Sequence, residues 1–140
     1  IGDSLPTAIG DDLNGSIGTV PGTDSPGATK FNEIAKANNF KAGPYTKESY
    51  DSAALIMLAM QAANSTNSND FKSKVMDVAN APGEKIFPGE LAKGLKLLSE
   101  GKEIDYVGAS AVELIGGGES AGNFAEILID NQKVTTVGYK

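Results

Sequence analysis

Few side chains in this sequence are able to carry out chemistry. The 140 residues contain no His, no Cys and no Trp, and all 12 basic residues are Lys. An imidazole base, a thiolate nucleophile and the usual zinc ligands are therefore missing. Without Arg there is also no bidentate clamp for a phosphate or a carboxylate. This composition argues against an enzyme.

One short motif suggests a nucleophile. Gly2-Asp3-Ser4-Leu5 matches the signature of GDSL-type esterases, in which the serine attacks an acyl group. That serine needs a histidine as its general base, and the sequence has none. We therefore interpret the motif as a polar turn and keep an esterase as the weakest alternative.

Two glycine patterns resemble nucleotide-binding loops. Gly116, Gly118 and Gly122 are spaced one residue too widely for a dinucleotide loop, and they precede a strand pattern. Residues 89–94 have the glycine spacing of a phosphate-binding loop, but Leu95 follows where that loop requires Lys. We expect a strand connection and a helix at these places, and no cofactor.

Charge further restricts the possible ligands and partners. Asp11, Asp12 and Asp24 do not have the spacing of a calcium loop, so no metal site is predicted. The net charge of −6 and the pI of about 4.6 argue against nucleic acid as a partner.

The longest apolar run, residues 53–63, is too short to span a membrane. Because the sequence begins with Ile1, we expect an internal or processed piece.

The pattern of apolar residues indicates an α/β chain. Thr46 is the expected cap of the longest helix, and Asn131-Gln132 the expected turn of a hairpin. The sequence predicts a strand at 14–21, helices at 28–38, 47–64, 70–79 and 90–100, and an extended piece at 85–87. Further strands are expected at 104–115, with a break at Gly108, and at 123–129 and 134–139. A buried parallel sheet needs repeated strand–helix crossovers, and only fragments of that pattern occur in this sequence. We therefore expect this chain to be part of a larger fold.

Three stretches resemble a known family. YDSAAL at 50–55 is similar to the start of that family's long lobe helix, and IDYVGAS at 104–110 is similar to its I-D-Y-x-G-A-S-G. The third, PGELAKGLKLLSEG, occupies 88–101. On these stretches the chain resembles the C-terminal portion of type I periplasmic binding proteins of branched-chain amino acid ABC transporters. The likeness covers about residues 41–130 and is looser over 10–45.

The resemblance implies a fold and a division of the chain. The family has two Rossmann-like, three-layer α/β lobes joined by three chain crossings, with the solute in the cleft between them. Residues 1–21 would end the second lobe's sheet and enter the hinge, 22–121 would complete the first lobe, and 122–140 would return to the second. The implied hinge residues are Pro21, Gly22, Ala121 and Gly122.

The resemblance also implies one ligand contact. An aromatic residue just before the long helix faces the cleft in that family, and Tyr45 occupies this position. The alternative is that Tyr45 only packs on the start of the helix. Tyr50 and Tyr106 are interpreted as structural. The family's Gly after 104–110 is replaced by Ala111, which changes the expected turn.

The implied function is solute binding. The chain would belong to a periplasmic or lipid-anchored component of an ABC importer for branched-chain or related amino acids, with a membrane permease as its partner. A ligand-sensing regulatory domain of the same fold is the alternative, and a free-standing interaction domain is a third. The family's main segments for holding the ligand's charged ends lie outside this sequence. We therefore expect the isolated chain to bind amino acids weakly or not at all, and to self-associate through uncovered strands.

Overall fold

The computed structural model describes residues 4–140. The helices are α1 (Ser4–Ile9), α2 (Pro26–Ala37), α3 (Thr46–Ala63), α4 (Ser68–Phe71), α5 (Lys74–Ala79) and α6 (Leu91–Ser99), with a short 3-10 helix at Asp11–Leu13. The strands are β1 (Ile17–Pro21), β2 (Glu84–Ile86), β3 (Ile104–Tyr106), β4 (Leu114–Gly116), β5 (Glu119–Ser120), β6 (Phe124–Asp130) and β7 (Lys133–Tyr139).

Helices α2 to α6 and strands β2 to β5 form the α/β body. Strands β2 and β3 are parallel, with Glu84 opposite Ile104 and Ile86 opposite Tyr106, and α6 makes the crossover between them. Helix α3 packs against both α5 and α6. Its Leu58 is fully buried in the core together with Ile86, Ile104 and Tyr106. Ile56 and Met57 of the same helix are exposed.

Strands β1, β6 and β7 form a separate antiparallel unit, the hairpin sheet, in the order β1-β6-β7. Strand β6 is central, and its alternating Ala125, Ile127 and Ile129 are buried. The predicted turn at Asn131-Gln132 is confirmed, since both residues have the positive φ values, 49° and 60°, that a tight hairpin turn requires. Helix α1 lies against this sheet through β7.

Two neighbouring segments, Pro21–Gly22 and 121–123, connect the hairpin sheet to the α/β body, and we call this pair the crossing. Pro21 lies opposite Phe124 at the end of the β1–β6 ladder. The ladder extends one step further, because the Gly22 N–H donates to the carbonyl of Asn123 at 3.0 Å. The two chain segments thus leave the sheet side by side.

The structure corrects three sequence-based expectations. Residues 70–79 do not form one helix, because α4 ends at Phe71 and α5 begins at Lys74. The strand expected over 104–115 ends at Tyr106, since Gly108 and Ala111 adopt positive φ and turn the chain. Thr46 does not cap α3; it is the first helical residue, and its hydroxyl donates back to the carbonyl of Gly43.

Candidate functional site: the strand-end edge and the crossing

The carboxyl ends of β2 and β3 lie at one edge of the α/β body. Residues 87–90 follow β2 there, and residues 107–111 follow β3. In open parallel α/β sheets, ligands bind in the crevice outside the carboxyl ends of the strands. We call this region the strand-end edge, and it is the candidate site.

A buried carboxylate holds the loop after β3. Asp51 lies in the second turn of α3 and is only 2% exposed. Its Oδ1 accepts hydrogen bonds from the Tyr106 hydroxyl at 2.9 Å and the Ala109 N–H at 2.8 Å. Its Oδ2 accepts from the N–H of Ser110 at 2.7 Å and from the hydroxyl of Ser110 at 2.6 Å. Four donors thus satisfy a charge that would be costly to bury alone.

The Asp51 carboxylate also changes the titration of its neighbour. Burial raises the pKa of Tyr106 far above its ordinary value, and the nearby negative charge of Asp51 adds to the shift. Tyr106 therefore remains a neutral donor to Asp51 at physiological pH. Its role is structural, as predicted from the sequence.

Close backbone packing at Gly108 completes this loop. Gly108 has φ of 63°, and a Cβ placed there would collide with the Asp51 carboxylate. The first turn of α2 lies against the same residue, since a Cβ at Gly27 would overlap the carbonyl oxygen of Gly108. These two glycines allow α2, α3 and the loop to meet at the strand-end edge.

The loop after β2 is fixed by a different set of contacts. Glu90 Oε2 accepts the Phe87 N–H at 2.9 Å, and this bond is the main reason that the pKa of Glu90 is lowered. Lys30 of α2 lies 3.3 Å from Glu90 Oε1 and 4.5 Å from the centre of the Phe87 ring. The hydroxyl of Tyr50 accepts the Gly89 N–H at 3.0 Å. Tyr50 is thus structural, as predicted.

The residues named as hinge candidates lie at the crossing. Pro21 and Gly22 run beside Asn123, and the Ala121 N–H donates to the carbonyl of Glu113 at 2.8 Å. A Cβ at Gly122 would collide with the ring of Phe124. The structure therefore brings Pro21 and Gly22 to the same place as Ala121 and Gly122.

Tyr45, the ligand contact that the resemblance implies, lies at the N-terminal end of α3. It directly precedes α3, whose next turns carry Tyr50 and Asp51 to the two loops of the strand-end edge. Its side chain is 61% exposed, and its backbone has a positive φ of 61°. The carbonyl of Tyr45 accepts bonds from the N–H and the hydroxyl of Ser49. The helix start is therefore held by its backbone, and the ring is left accessible.

Asn123 and Asp51 were not singled out as site residues by the sequence reasoning. The Nδ2 of Asn123 lies 3.4 Å from the carbonyl oxygens of Ser110 and Ala111, so the crossing touches the loop after β3. For Asp51 a signal existed, because it shares one helix face with Ala54, Leu55 and Leu58. An acid on an apolar face indicates a paired, buried carboxylate.

The other motifs fall away from this site. Ser4 starts α1, while Gly2 and Asp3 of the esterase-like motif lie outside the described residues. The glycines at 116–118 form the turn between β4 and β5, and residues 91–94 begin α6, as expected.

Within residues 4–140, no group of acidic side chains is arranged to hold a metal ion. In the same part of the chain, no helix has the length and apolarity needed to span a bilayer.

Comparison with known proteins bears on the fold. No protein-family model matches the chain. Over 97 residues it is 27% identical to the chemotactic signal transduction system substrate-binding protein BasB of Halobacterium salinarum, covering 69% of this chain and 24% of that protein. The structure is similar to that of the leucine binding protein LivK from Thermotoga maritima, with a TM-score of 0.68 at 16% identity over 98% of this chain and 34% of that one.

These similarities establish the architecture. The chain has the α/β fold of a type I periplasmic binding protein over nearly its whole length, as its motifs predicted. It spans about a quarter of the length of the curated relative and about a third of the length of the solved structure.

Proposed function

We propose that this chain forms one wall and two hinge segments of a bilobed solute-binding protein. That protein is the extracytoplasmic binding component of an ABC importer for branched-chain or related amino acids, and it delivers its solute to a membrane permease. The α/β body belongs to one lobe, and residues 1–21 and 122–140, whose strands β1, β6 and β7 form the hairpin sheet, belong to the other. Pro21, Gly22, Ala121 and Gly122 are the hinge.

The proposal depends most on one observation: the crossing lies directly against the strand-end edge. Asn123 contacts the carbonyls of the loop after β3, and that loop is where a ligand of an open parallel sheet would bind. A solute bound at this edge is therefore adjacent to the segments about which two lobes would turn. Such an arrangement couples occupancy of the cleft to closure.

The chemistry of the edge suits an amino acid with an apolar side chain. Tyr45 offers an exposed ring as an apolar surface together with a hydroxyl that tolerates water. Three amides of the two loops, those of Ala109, Phe87 and Gly89, already donate to Asp51, Glu90 and Tyr50. In this proposal the chain supplies an aromatic wall, and the charged ends of the solute are held by segments outside this sequence.

The test is calorimetry on the full-length protein with leucine, isoleucine, valine and phenylalanine. We expect micromolar binding of at least one of these, and weakening by about tenfold in Tyr45→Leu, equivalent to about 1.4 kcal/mol of lost ring contact. Tyr139→Leu is the matched control, because Tyr139 is also an exposed tyrosine but lies in the hairpin sheet. The isolated 140 residues should bind none of the four measurably.

Three results would contradict this proposal. If the full-length protein binds none of the four amino acids, the solute class is wrong. If Tyr45→Leu and Tyr139→Leu bind equally well, Tyr45 does not face the solute. Micromolar binding by the isolated chain would show that its own residues hold the charged ends of the ligand.

A sensory role is the second candidate. It is favoured by the similarity to BasB, whose name places it in a chemotactic signal transduction system. The same wall and hinge would then report occupancy to a receptor. Co-purification from membranes distinguishes the two roles: a transport component is retained by permease subunits, and a sensory component by a transducer.

A further inference from the structure

The α/β body and the hairpin sheet are connected mainly through the crossing. The helices and strands of the two units make few contacts with one another, since the principal partners of β1, β6 and β7 are each other, α1 and the 3-10 helix. The angle between the two units is therefore determined by what holds the two crossing segments.

Asn123 belongs to both units at once. Its backbone carbonyl accepts the Gly22 N–H at 3.0 Å, which places it at the last rung of the hairpin sheet. Its side-chain Nδ2 lies 3.4 Å from the carbonyl oxygens of Ser110 and Ala111 in the α/β body. A rotation of the sheet relative to the body must stretch or break this side-chain contact.

The loop that receives Asn123 is itself held firmly. Asp51 binds both the N–H and the hydroxyl of Ser110, the residue whose carbonyl faces Asn123. Hydrogen bonds to an ionised acceptor are stronger than neutral ones, and the buried position of Asp51 protects them from water. On its other side the loop is backed by α2, through the close approach of Gly27 to Gly108.

We propose that Asp51, the loop 107–111 and Asn123, together the Asp51–Asn123 network, set the resting angle of the hinge. Asn123 is a positioning residue: it touches no solute, and it acts by fixing the crossing to a loop that Asp51 keeps rigid. The inference rests on the proposed hinge function and deepens it. Removing the donor of Asn123 widens the range of angles in the solute-free protein and lowers solute affinity, because fewer molecules are poised for closure.

The experiment measures the angle directly in the full-length protein without solute. Spin labels at Lys36→Cys and Thr135→Cys, both exposed, place one probe at the end of α2 and one in β7. Double electron–electron resonance then gives the distribution of distances between the two spin labels, and so between the two units. We compare Asn123→Asp, which keeps the side-chain shape but loses the donor, with Asn38→Asp, which removes a similar amide-to-carbonyl bond (Nδ2 to the oxygen of Ile34, 2.9 Å) far from the crossing.

We expect Asn123→Asp and Asn123→Ala to broaden the distance distribution, and Asn38→Asp to leave it unchanged. Leucine affinity of the two Asn123 variants should fall about 3- to 30-fold while their circular dichroism spectra stay native. Coincident distributions in wild type and both Asn123 variants would overturn the inference. Because the distance is measured without solute, broadening in a protein that binds no amino acid would uphold the network and refute only the proposed solute.

Discussion

Replacing Asp51 is the most informative single change in the α/β body. The side chain is 2% exposed and accepts four hydrogen bonds, from Tyr106, from the Ala109 N–H and from two groups of Ser110. Asp51→Ala removes every acceptor at once. The Tyr106 and Ala109 bonds are buried, so their donors are left without water, while the Ser110 groups are partly buried and regain some hydration.

The size of the effect follows from these two classes of donor. A buried donor left without a partner costs about 1–3 kcal/mol, so two of them cost about 2–6 kcal/mol. The Asp51→Ala protein no longer has to bury a carboxylate, and the desolvation free energy that it avoids offsets part of this loss. The net destabilisation is therefore about 3 kcal/mol. Since a whole domain is stable by only about 5–15 kcal/mol, the variant should remain folded but unfold much more readily. Asp51→Asn keeps one acceptor and should lose about 2 kcal/mol.

Urea unfolding followed by circular dichroism measures these losses in the full-length protein. Asp70→Ala is the matched control, because Asp70 is an exposed aspartate that accepts one side-chain bond, from the Ser65 hydroxyl at 2.7 Å. The control should change stability by less than about 0.5 kcal/mol. An Asp51→Ala protein as stable as the control would mean that water reaches this carboxylate, and the reasoning on the loop after β3 would then be wrong.

Three further predictions follow from the structure. Burial and the Asp51 charge raise the pKa of Tyr106 above its ordinary 10.0. The stability that the neutral Tyr106 hydroxyl provides is therefore complete below about pH 10 and is lost as the pH rises further. In unfolding curves taken at alkaline pH, Tyr106→Phe should show a smaller loss of stability with pH than the wild type. Gly27→Ala should lower stability by about 2 kcal/mol or more through overlap with the loop after β3, whereas Gly43→Ala should be nearly neutral in the same assay. The isolated chain should sediment as an oligomer at tens of micromolar, and Ile17→Lys, in edge strand β1 and 84% exposed, should return it to a monomer.

The regular elements were largely predictable from the sequence, because apolar spacing reports directly on burial. The spacing of Leu55, Leu58 and Ala59 predicts α3, and the run NFAEILI at 123–129 predicts β6 to within one residue at each end. The errors occur where a local preference competes with the surroundings. Residues 106–115 include strand-forming residues, but the chain turns after Tyr106. The amides of Ala109 and Ser110 in this turn bind Asp51, which is 58 and 59 positions away in sequence.

The candidate site was only partly predictable for a related reason. Gly22 and Gly122 lie at recognisable strand boundaries, so the resemblance could place them at the crossing. The ligand contact of Tyr45 stays a prediction. Asn123 is an ordinary residue before a strand, and nothing local indicates that its side chain reaches residues 110 and 111. Long-range side-chain to backbone bonds leave no periodic trace in a sequence, whereas apolar faces do.

The position of Asp51 favours geometry over stability as the reason for its presence. A buried ion is a poor way to gain stability, and well-packed apolar residues often replace one without loss. Here an apolar residue would leave the Ala109 N–H and the Tyr106 hydroxyl without acceptors, so the replacement would also require a differently shaped loop. That loop is the one on which Asn123 rests. The carboxylate is therefore matched to a particular path of the backbone at the crossing, and a path so specified is what a hinge with a defined resting angle needs.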